Sequence, residues 1–318
     1  MLLSIIIPCF NSEKYISSML DMLIEQNLDD CEVIVINDGS TDDTFNICCR
    51  YASKYNNIRV IDKINEGVSV ARNIGIEESR GKYIYFLDSD DYLEPNTLDF
   101  YRTVLNADKE ISFYAFGYYS KYNGKTLNDY SYKMYDKQKI DAMMLKQSFF
   151  EKKLCFHICS CICEKDFLVN NQIKFTAGLK IGEDIEFLLK ILSRASNCLY
   201  YARHCFIYQI RDDSTMQGYK SYSLAQWNSF IVNFNLQSLF KEVDIEKSYN
   251  FFLANSYLSN LVYYLKSNSK SEEMNRNFIN YRFVLNRKIS FGNLKRYIII
   301  KILKIVPLNF LYRIFKKY

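Results

Sequence analysis

Two carboxylates one residue apart, Asp88-Ser89-Asp90, follow the apolar run Lys82–Leu87. Hard oxygen donors at this spacing suit Mg2+ or Mn2+, whose other ligands are phosphate oxygens and water. A cation held there neutralises a departing pyrophosphate as a Lewis acid. The same residues could instead cap a turn. A phosphatase with an aspartyl nucleophile would read D-x-D-x-T, but Tyr92 follows Asp91. A nucleotidyl transferase would place a glycine-rich loop where this chain has Pro8-Cys9-Phe10-Asn11. A second carboxylate pair, Glu183-Asp184, opens the helical pattern Glu183–Arg194. Neighbouring carboxylates repel, which raises one pKa towards the range of a general base. Acidic residues are also favourable in a first helical turn for the dipole alone.

The elements that must hold these groups alternate. Strand-like runs at Leu2–Cys9, Glu32–Ile36, Ile58–Asp62 and Lys82–Leu87 are separated by helical spacing at Ser12–Gln26, Thr41–Tyr51 and Val68–Glu78, with Ser12 as an expected N-cap. Such alternation predicts an α/β fold, a mostly parallel sheet with helices on both faces. Ligands then bind beyond the carboxyl ends of the strands. Asn11, Asn37-Asp38-Gly39-Ser40 and Asp88-Ser89-Asp90-Asp91 all fall at such ends. Ile111–Tyr118 and Leu199–Ile210 read as further strands, with a turn at Asn123-Gly124. From Ser223 onward the pattern is helical, with a break around residues 266–272.

Four segments in order, Ser4–Asn11, Asn37–Asp42, Asn65-Glu-Gly67 with Ala71-Arg-Asn73, and Phe86–Asp91, are joined downstream by Gly182-Glu-Asp184 and Arg211-x-x-Ser214. As a set they resemble a family 2 glycosyltransferase with the GT-A fold, of the kind that builds bacterial capsule and cell-surface polysaccharides. The resemblance covers about residues 2–215 and implies roles. Asp38 would accept the uracil N3–H of a UDP-sugar. Pro8, Phe10 and Asn11 would shape the nucleotide slot, with Arg72 and Asn73 positioning ribose, diphosphate or Asp88. Asp88 and Ser89 would face the donor, and Asp90, with Asp88, would hold a divalent cation, Mn2+ or Mg2+. Asp91 would orient Asp90 or cap the following segment. Arg211 and Ser214 would lie near the diphosphate or the acceptor. Asp184 would be the base of an inverting transfer, with Glu183 holding the acceptor or nucleotide side. One departure stands out: His157-Ile-Cys-Ser-Cys-Ile-Cys163 replaces the aromatic and lysine that relatives often carry before the acceptor region. His204, beside Cys205 and Phe206, reads as a core residue.

Composition narrows the class. The chain has 318 residues, 49% of them hydrophobic and 24% charged, with only 10 Gly and 3 Pro, which excludes a disordered or collagen-like chain. The ten cysteines read as buried thiols rather than disulfides or a zinc site. No apolar run approaches the ~18–20 residues of a membrane span, and no leader pattern opens the chain, so a cytoplasmic location is expected. The net charge of +5 is uneven: residues 274–318 hold eleven Lys or Arg and no acid, which leaves residues 1–273 at −6. On a helical wheel Leu294, Ile298, Ile299, Ile302, Leu303, Ile305 and Val306 share one side, opposite Arg296, Lys301 and Lys304, with Tyr297 and Ile300 among those cations. Such a helix suits an anionic surface on the inner face of the cell membrane.

The expectation is a GT-A domain over 1–220 and a helical region over 221–318 whose basic amphipathic tail spans about 293–318. It would move a sugar (a hexosyl or N-acetylhexosaminyl group) from UDP to a hydroxyl of a lipid-linked or nascent cell-surface glycan. The alternative is a catalytically silent carbohydrate-binding or scaffolding protein on the same fold. Nucleic acid is not an expected partner: the body is acidic and carries no recognised binding motif.

Overall fold

The computed structural model describes residues 1–107, 111–211, 222–267, 271–307 and 310; Ser214, the 220/221 boundary and the tail residues 308–309 and 311–318 lie outside the described residues. In chain order the elements begin β1 (Leu3–Cys9), α1 (Ile16–Glu25), β2 (Cys31–Asp38), α2 (Thr44–Lys54), β3 (Ile58–Lys63), α3 (Val68–Glu78), β4 (Tyr83–Phe86), β5 (Tyr92–Leu93) and α4 (Thr97–Ala107). They continue with β6 (Phe113–Tyr122), β7 (Lys125–Asp129), β8 (Gln138–Asp141), α5 (Ala142–Phe150), β9 (Cys161–Glu164), α6 (Lys165–Asn170), α7 (Glu183–Arg194) and β10 (Asn197–Ile210). The last helices are α8 (Leu224–Asn235), α9 (Val243–Lys266), α10 (Glu272–Tyr281) and α11 (Leu294–Ile305). The described chain forms two compact units, one of residues 1–142, 156–178 and 183–211, the other of 143–155, 179–182 and the described part of 212–318.

The first unit is built on one sheet with strand order β3-β2-β1-β4-β9-β6-β10-β5. β1 and β2 are buried along their whole lengths, as strands covered on both faces must be, and their near-continuous Ile and Val content follows from that. β1 through β4 pair parallel, β9 joins antiparallel to both β4 and β6, and β6 pairs parallel with β10. β6 and β7 form a hairpin whose tip, Asn123-Gly124, has φ of 48° and 74°, the left-handed pair that a two-residue turn requires. The expected N-cap at Ser12 is not formed. Helix α1 starts after Tyr15, and the Ser12 hydroxyl instead meets Ser89 at 2.8 Å.

In the second unit, α9 is buried on nearly all sides, and its Tyr257 and Tyr264 join Trp227, Phe230 and Phe278 of neighbouring helices in one aromatic cluster. α11 sits on this cluster through Ile300, with Tyr297, Leu303 and Val306 beside it. This reverses the wheel reading, which put Ile300 and Tyr297 on the cationic side. The helix is anchored there by polar contacts that a wheel does not contain: Arg296 Nη1 donates to Asn255 Oδ1 at 2.5 Å, and Arg282 Nη2 donates to the carbonyls of Leu303, at 3.0 Å, and Val306.

Candidate active site

Strand register assembles the site. β1 and β2 end together, Cys9 opposite Asn37, and β2 and β3 end with Asp38 opposite Lys63. Lys63 Nζ therefore reaches Asp38 Oδ1 at 2.7 Å and Glu66 at 3.0 Å. Asp38 also accepts the backbone N–H groups of Glu66 (3.0 Å) and Gly67 (2.8 Å). The carboxylate expected to meet uracil thus already pins the 64–67 loop, in which Gly67 takes φ 93° and opens α3.

The loops after β1, β2 and β4 are bonded into one rim. Asn11, at φ 51°, donates its N–H to Ser40 Oγ (3.0 Å) and accepts from the N–H of Thr41 through Oδ1 (2.8 Å). The contact between Ser12 and Ser89 links the first loop to the third. Pro8 is buried below this rim, and the Phe10 ring is exposed.

Helix α3 lies hard against β1 because Gly75 has no side chain: a Cβ there would stand 2.2 Å from Ile6 Cγ2. About one turn earlier, Arg72 points into the crevice with its side chain only 4% exposed. Its Nη2 lies 2.7 Å from Asp88 Oδ1, its Nη1 3.4 Å from Glu183 Oε1, and its guanidinium 5.3 Å from the Phe175 ring centre. Two carboxylates far apart in sequence are thereby held on one cation. Asn73 exchanges hydrogen bonds with the Phe175 backbone, 2.9 Å each way, so its amide fixes the 173–176 segment.

Asp90 meets Arg211, with Nη1 2.6 Å from Oδ2 and Nη2 donating to the Asp90 carbonyl; the guanidinium stacks 3.9 Å over Tyr15. Asp91 is buried and turns towards β10, where its Oδ1 accepts the Gln209 N–H at 2.8 Å. Its Oδ2 has no hydrogen-bond partner among the described residues. Asp184, in the first turn of α7, accepts the Ile185 N–H through Oδ1 at 2.7 Å. The structure brings Arg72, Asp88, Glu183, Asp90 and Arg211 to the strand ends, with Asp38 and Asn11 on the same rim. Ser214 lies outside the described residues.

Two further residues line this cluster. His157 caps a short 3-10 turn: its Nδ1 accepts the Cys159 N–H at 3.2 Å, so Nε2 carries the proton in the neutral ring. The ring packs between Phe206 (5.0 Å), Tyr208 (5.2 Å) and Tyr118 (5.9 Å). The only hint in the sequence was that His157 begins the segment departing from the family pattern. Tyr208, three residues before Arg211, gave no signal. His204, expected in the core, is instead partly exposed and lies 2.8 Å from Asp129.

The electrostatics follow from burial and from these pairings. Burial pushes the Asp88 carboxyl up, but the Arg72 guanidinium outweighs it and holds Asp88 below the usual carboxylate value. Burial raises Asp91 well above that value, with Asp90 and Asp88 adding to the effect, so Asp91 keeps its proton. Burial and Asp184 raise Glu183 against the pull of Arg72. Burial lowers His157, which is neutral at pH 7. The Tyr208 phenol is pushed up to about 12, first by burial and then by the negative charge of the nearby aspartates.

The donor set fits a hard divalent cation. Asp88 and Asp90 are partly exposed carboxylates on one loop. Among the described residues, the one cluster of three possible metal ligands is Asp88, Asp91 and Cys159. Burial raises the Cys159 thiol well above its ordinary value and keeps it protonated, so the carboxylates are the ligands that chemistry favours. All ten cysteines are free, and Cys161 and Cys163 alternate along β9 as buried apolar groups.

Residues 4–168 match the family model described as glycosyl transferase family 2. Among curated proteins, an uncharacterized glycosyltransferase, YibD of Escherichia coli (strain K12), is 29% identical over 218 residues, 67% of this chain and 62% of its own. The minor teichoic acid biosynthesis protein GgaB of Bacillus subtilis (strain 168) is 33% identical over 232 residues, 69% of this chain and 24% of its own. The match therefore spans less than two thirds of either relative. Among solved structures, S. aureus TarS 1-349 in complex with UDP-GlcNAc superposes with a TM-score of 0.70 at 22% identity, over 90% of this chain and 81% of that one. The mannosyltransferase PcManGT of Pyrobaculum calidifontis, in complex with GDP-Man and Mn2+, gives a TM-score of 0.58 at 16% identity, over 99% and 83%. These likenesses show the fold, which is GT-A.

Proposed function

The chain belongs to glycosyl transferase family 2, and from that premise we propose that it transfers a sugar from a UDP-sugar to a hydroxyl of a lipid-linked or nascent cell-surface glycan, with inversion. The observation that carries the proposal is the bridge Asp88–Arg72–Glu183. It couples the donor-side loop after β4 to the carboxylate pair at the start of α7, so that donor and acceptor chemistry face one another. Support for a UDP donor comes from the fold shared with TarS, whose structure holds UDP-GlcNAc. The teichoic acid role in the name of GgaB supports a cell-surface acceptor.

In this reading Asp184 removes the proton from the acceptor hydroxyl as its oxygen attacks the anomeric carbon. The bond from that carbon to the diphosphate oxygen breaks on the opposite face, and UDP leaves with the electron pair. Arg211 faces the diphosphate, and Glu183 positions the acceptor against Arg72. Asp90 and Asp88 would hold the divalent cation, which supplies charge neutralisation to the leaving group when bound. Pro8, Phe10, Asn11 and Asp38 would form the uridine side of the slot, with a remaining lone pair of Asp38 accepting N3–H. Asn73 and Ser89 act by bracing the loops. Residues 1–220 would constitute the catalytic domain and 221–318 a helical extension that meets the inner face of the cell membrane, where such acceptors reside. Among the described residues no helix is long and apolar enough to cross a membrane.

Calorimetric titration of UDP with Mn2+ tests the site. Wild type should bind and Asp90→Ala should not, whereas Asp184→Asn should bind normally and release no UDP in a transfer assay. Equal binding by wild type and Asp90→Ala refutes the cation site, and turnover by Asp184→Asn refutes the base.

A further inference from the structure

Helix α11 is apolar on two opposite faces. Its inner face, centred on Ile300, is covered by the second unit's core. Its outer face carries Leu294, Ile298, Ile302 and Ile305, which are 56%, 48%, 53% and 81% exposed. These positions recur at i, i+4, i+8 and i+11, a single stripe on a helix of 3.6 residues per turn. Lys301 and Lys295 border the stripe on its two sides. Phe291, just before the helix, is 63% exposed. One exposed isoleucine is ordinary, but a continuous aliphatic stripe marks a contact surface.

We infer that the occupant of this stripe is an anionic lipid surface. α11 lies in the headgroup plane, its outer aliphatic residues enter between acyl chains, and Lys295 and Lys301 remain at the level of the phosphates. Charge decides for lipid. Beyond Glu273 the chain has eleven cations and no acid. A second copy would set these lysines against identical lysines, and four side chains offer far less than the ~800 Å2 per partner of a stable interface. At 12 residues α11 is much shorter than the ~20 that cross a bilayer, so it lies on the surface rather than through it. The inference rests on the reading that the acceptor is membrane-borne and names the element that docks there.

Co-sedimentation of the full chain with phosphatidylcholine vesicles, with and without one third phosphatidylglycerol, tests it. Wild type should bind the anionic vesicles at low salt, weakly at high salt, and the neutral ones poorly. Ile298→Asp with Ile302→Asp should lower the partition at least about tenfold. Lys295→Gln with Lys301→Gln should lower it about 30-fold. Both pairs are at the surface, and an unchanged thermal midpoint checks that the variants fold. Wild type that ignores anionic vesicles, or an aspartate variant that binds as wild type does, overturns the inference. So does a wild-type dimer that the aspartate variant converts to monomer, because a second copy would then be the occupant. UDP binding measured on the same preparations separates the two claims. UDP binding without vesicle binding sinks the docking face alone, and vesicle binding without UDP binding sinks the transferase reading alone.

Discussion

Replacing Arg72 by Met removes the cation between Asp88 and Glu183 while keeping an unbranched chain in contact with Phe175. Asp88 and Glu183 are then two carboxylates with no charge between them, in a crevice that leaves their side chains 29% and 17% exposed. Removing one partner of a fully buried ion pair costs about 3–5 kcal/mol; partial exposure reduces this to about 2–4 kcal/mol here. With a urea slope of about 3 kcal/mol per molar, the unfolding midpoint should fall by roughly 1 M at pH 7. The effect depends on pH in a defined direction. Without Arg72, burial is no longer outweighed at Asp88, whose folded-state pKa rises above its unfolded value. The folded state then binds that proton more tightly, so the deficit of the variant shrinks as pH falls from 7 to 5. Arg72→Lys should recover part of the loss, because an ammonium keeps the charge but cannot bridge two carboxylates. Arg72→Met with Asp88→Asn should lose less than the sum of the single changes. The assay is urea unfolding followed by far-UV circular dichroism at both pH values. A midpoint shift below about 0.3 M for Arg72→Met, or the same shift at pH 5 and pH 7, refutes the bridge as the element that holds the crevice together.

Asp91→Asn tests the buried acid. Because the folded pKa of Asp91 is raised, the wild-type folded state holds a proton that the unfolded chain gives up near pH 4, so this group makes stability fall as pH rises above about 4. The amide removes that dependence, and stability from pH 5 to 8 should be flatter than wild type; an unchanged slope counts against a protonated Asp91. His157→Phe keeps the stack between Phe206 and Tyr208 but orphans the Cys159 N–H, for a loss of about 1–2 kcal/mol in urea unfolding. The same variant should bind UDP normally yet release UDP at least about tenfold more slowly in a transfer assay; wild-type turnover would assign His157 to structure alone. Gly75→Ala puts a methyl 2.2 Å from Ile6 Cγ2, so it should cost about 1–3 kcal/mol, partly restored by Ile6→Ala. Equal stability of Gly75→Ala and wild type would show that α3 can shift away from β1.

The parallel half of the sheet was legible because β1, β2 and β4 are built on apolar runs and the segments between them carry helical spacing. Helices α3 and α7 begin and end where spacing placed them, at Val68–Glu78 and Glu183–Arg194. The short elements were not legible. β8 and β9 have four residues each, and what makes them strands is pairing with β10 and with β4 and β6, which no local pattern encodes. Ser12 failed as a cap for a related reason. Its hydroxyl has a partner, Ser89, that lies in another loop and is invisible from the helix alone.

The candidate site divides along the same line. Residue types and strand-end positions were enough to single out Asp38, Asp88 and Asp90, whereas the role of Asp184, in the first turn of α7, came from the family resemblance. What each one touches depended on register. Asp38 stands beside Lys63 only because β2 and β3 end in step, and His157 enters the cluster only because its turn precedes an antiparallel strand inserted beside β4. The tail shows the limit most clearly. A wheel assumes one apolar face, and α11 has two. Half of the circumference chosen from the sequence mixes residues of both. The polar anchors Arg282 and Arg296 select which face turns inward, and both contacts, to the Leu303 carbonyl and to Asn255, join segments that are separate in sequence. Once the inner face is assigned, the residues left outside are as apolar as those within. Ile298, Ile302 and Ile305 are left exposed between Lys295 and Lys301, and it is this outer face, not the half-circumference chosen from the wheel, that the vesicle experiment probes.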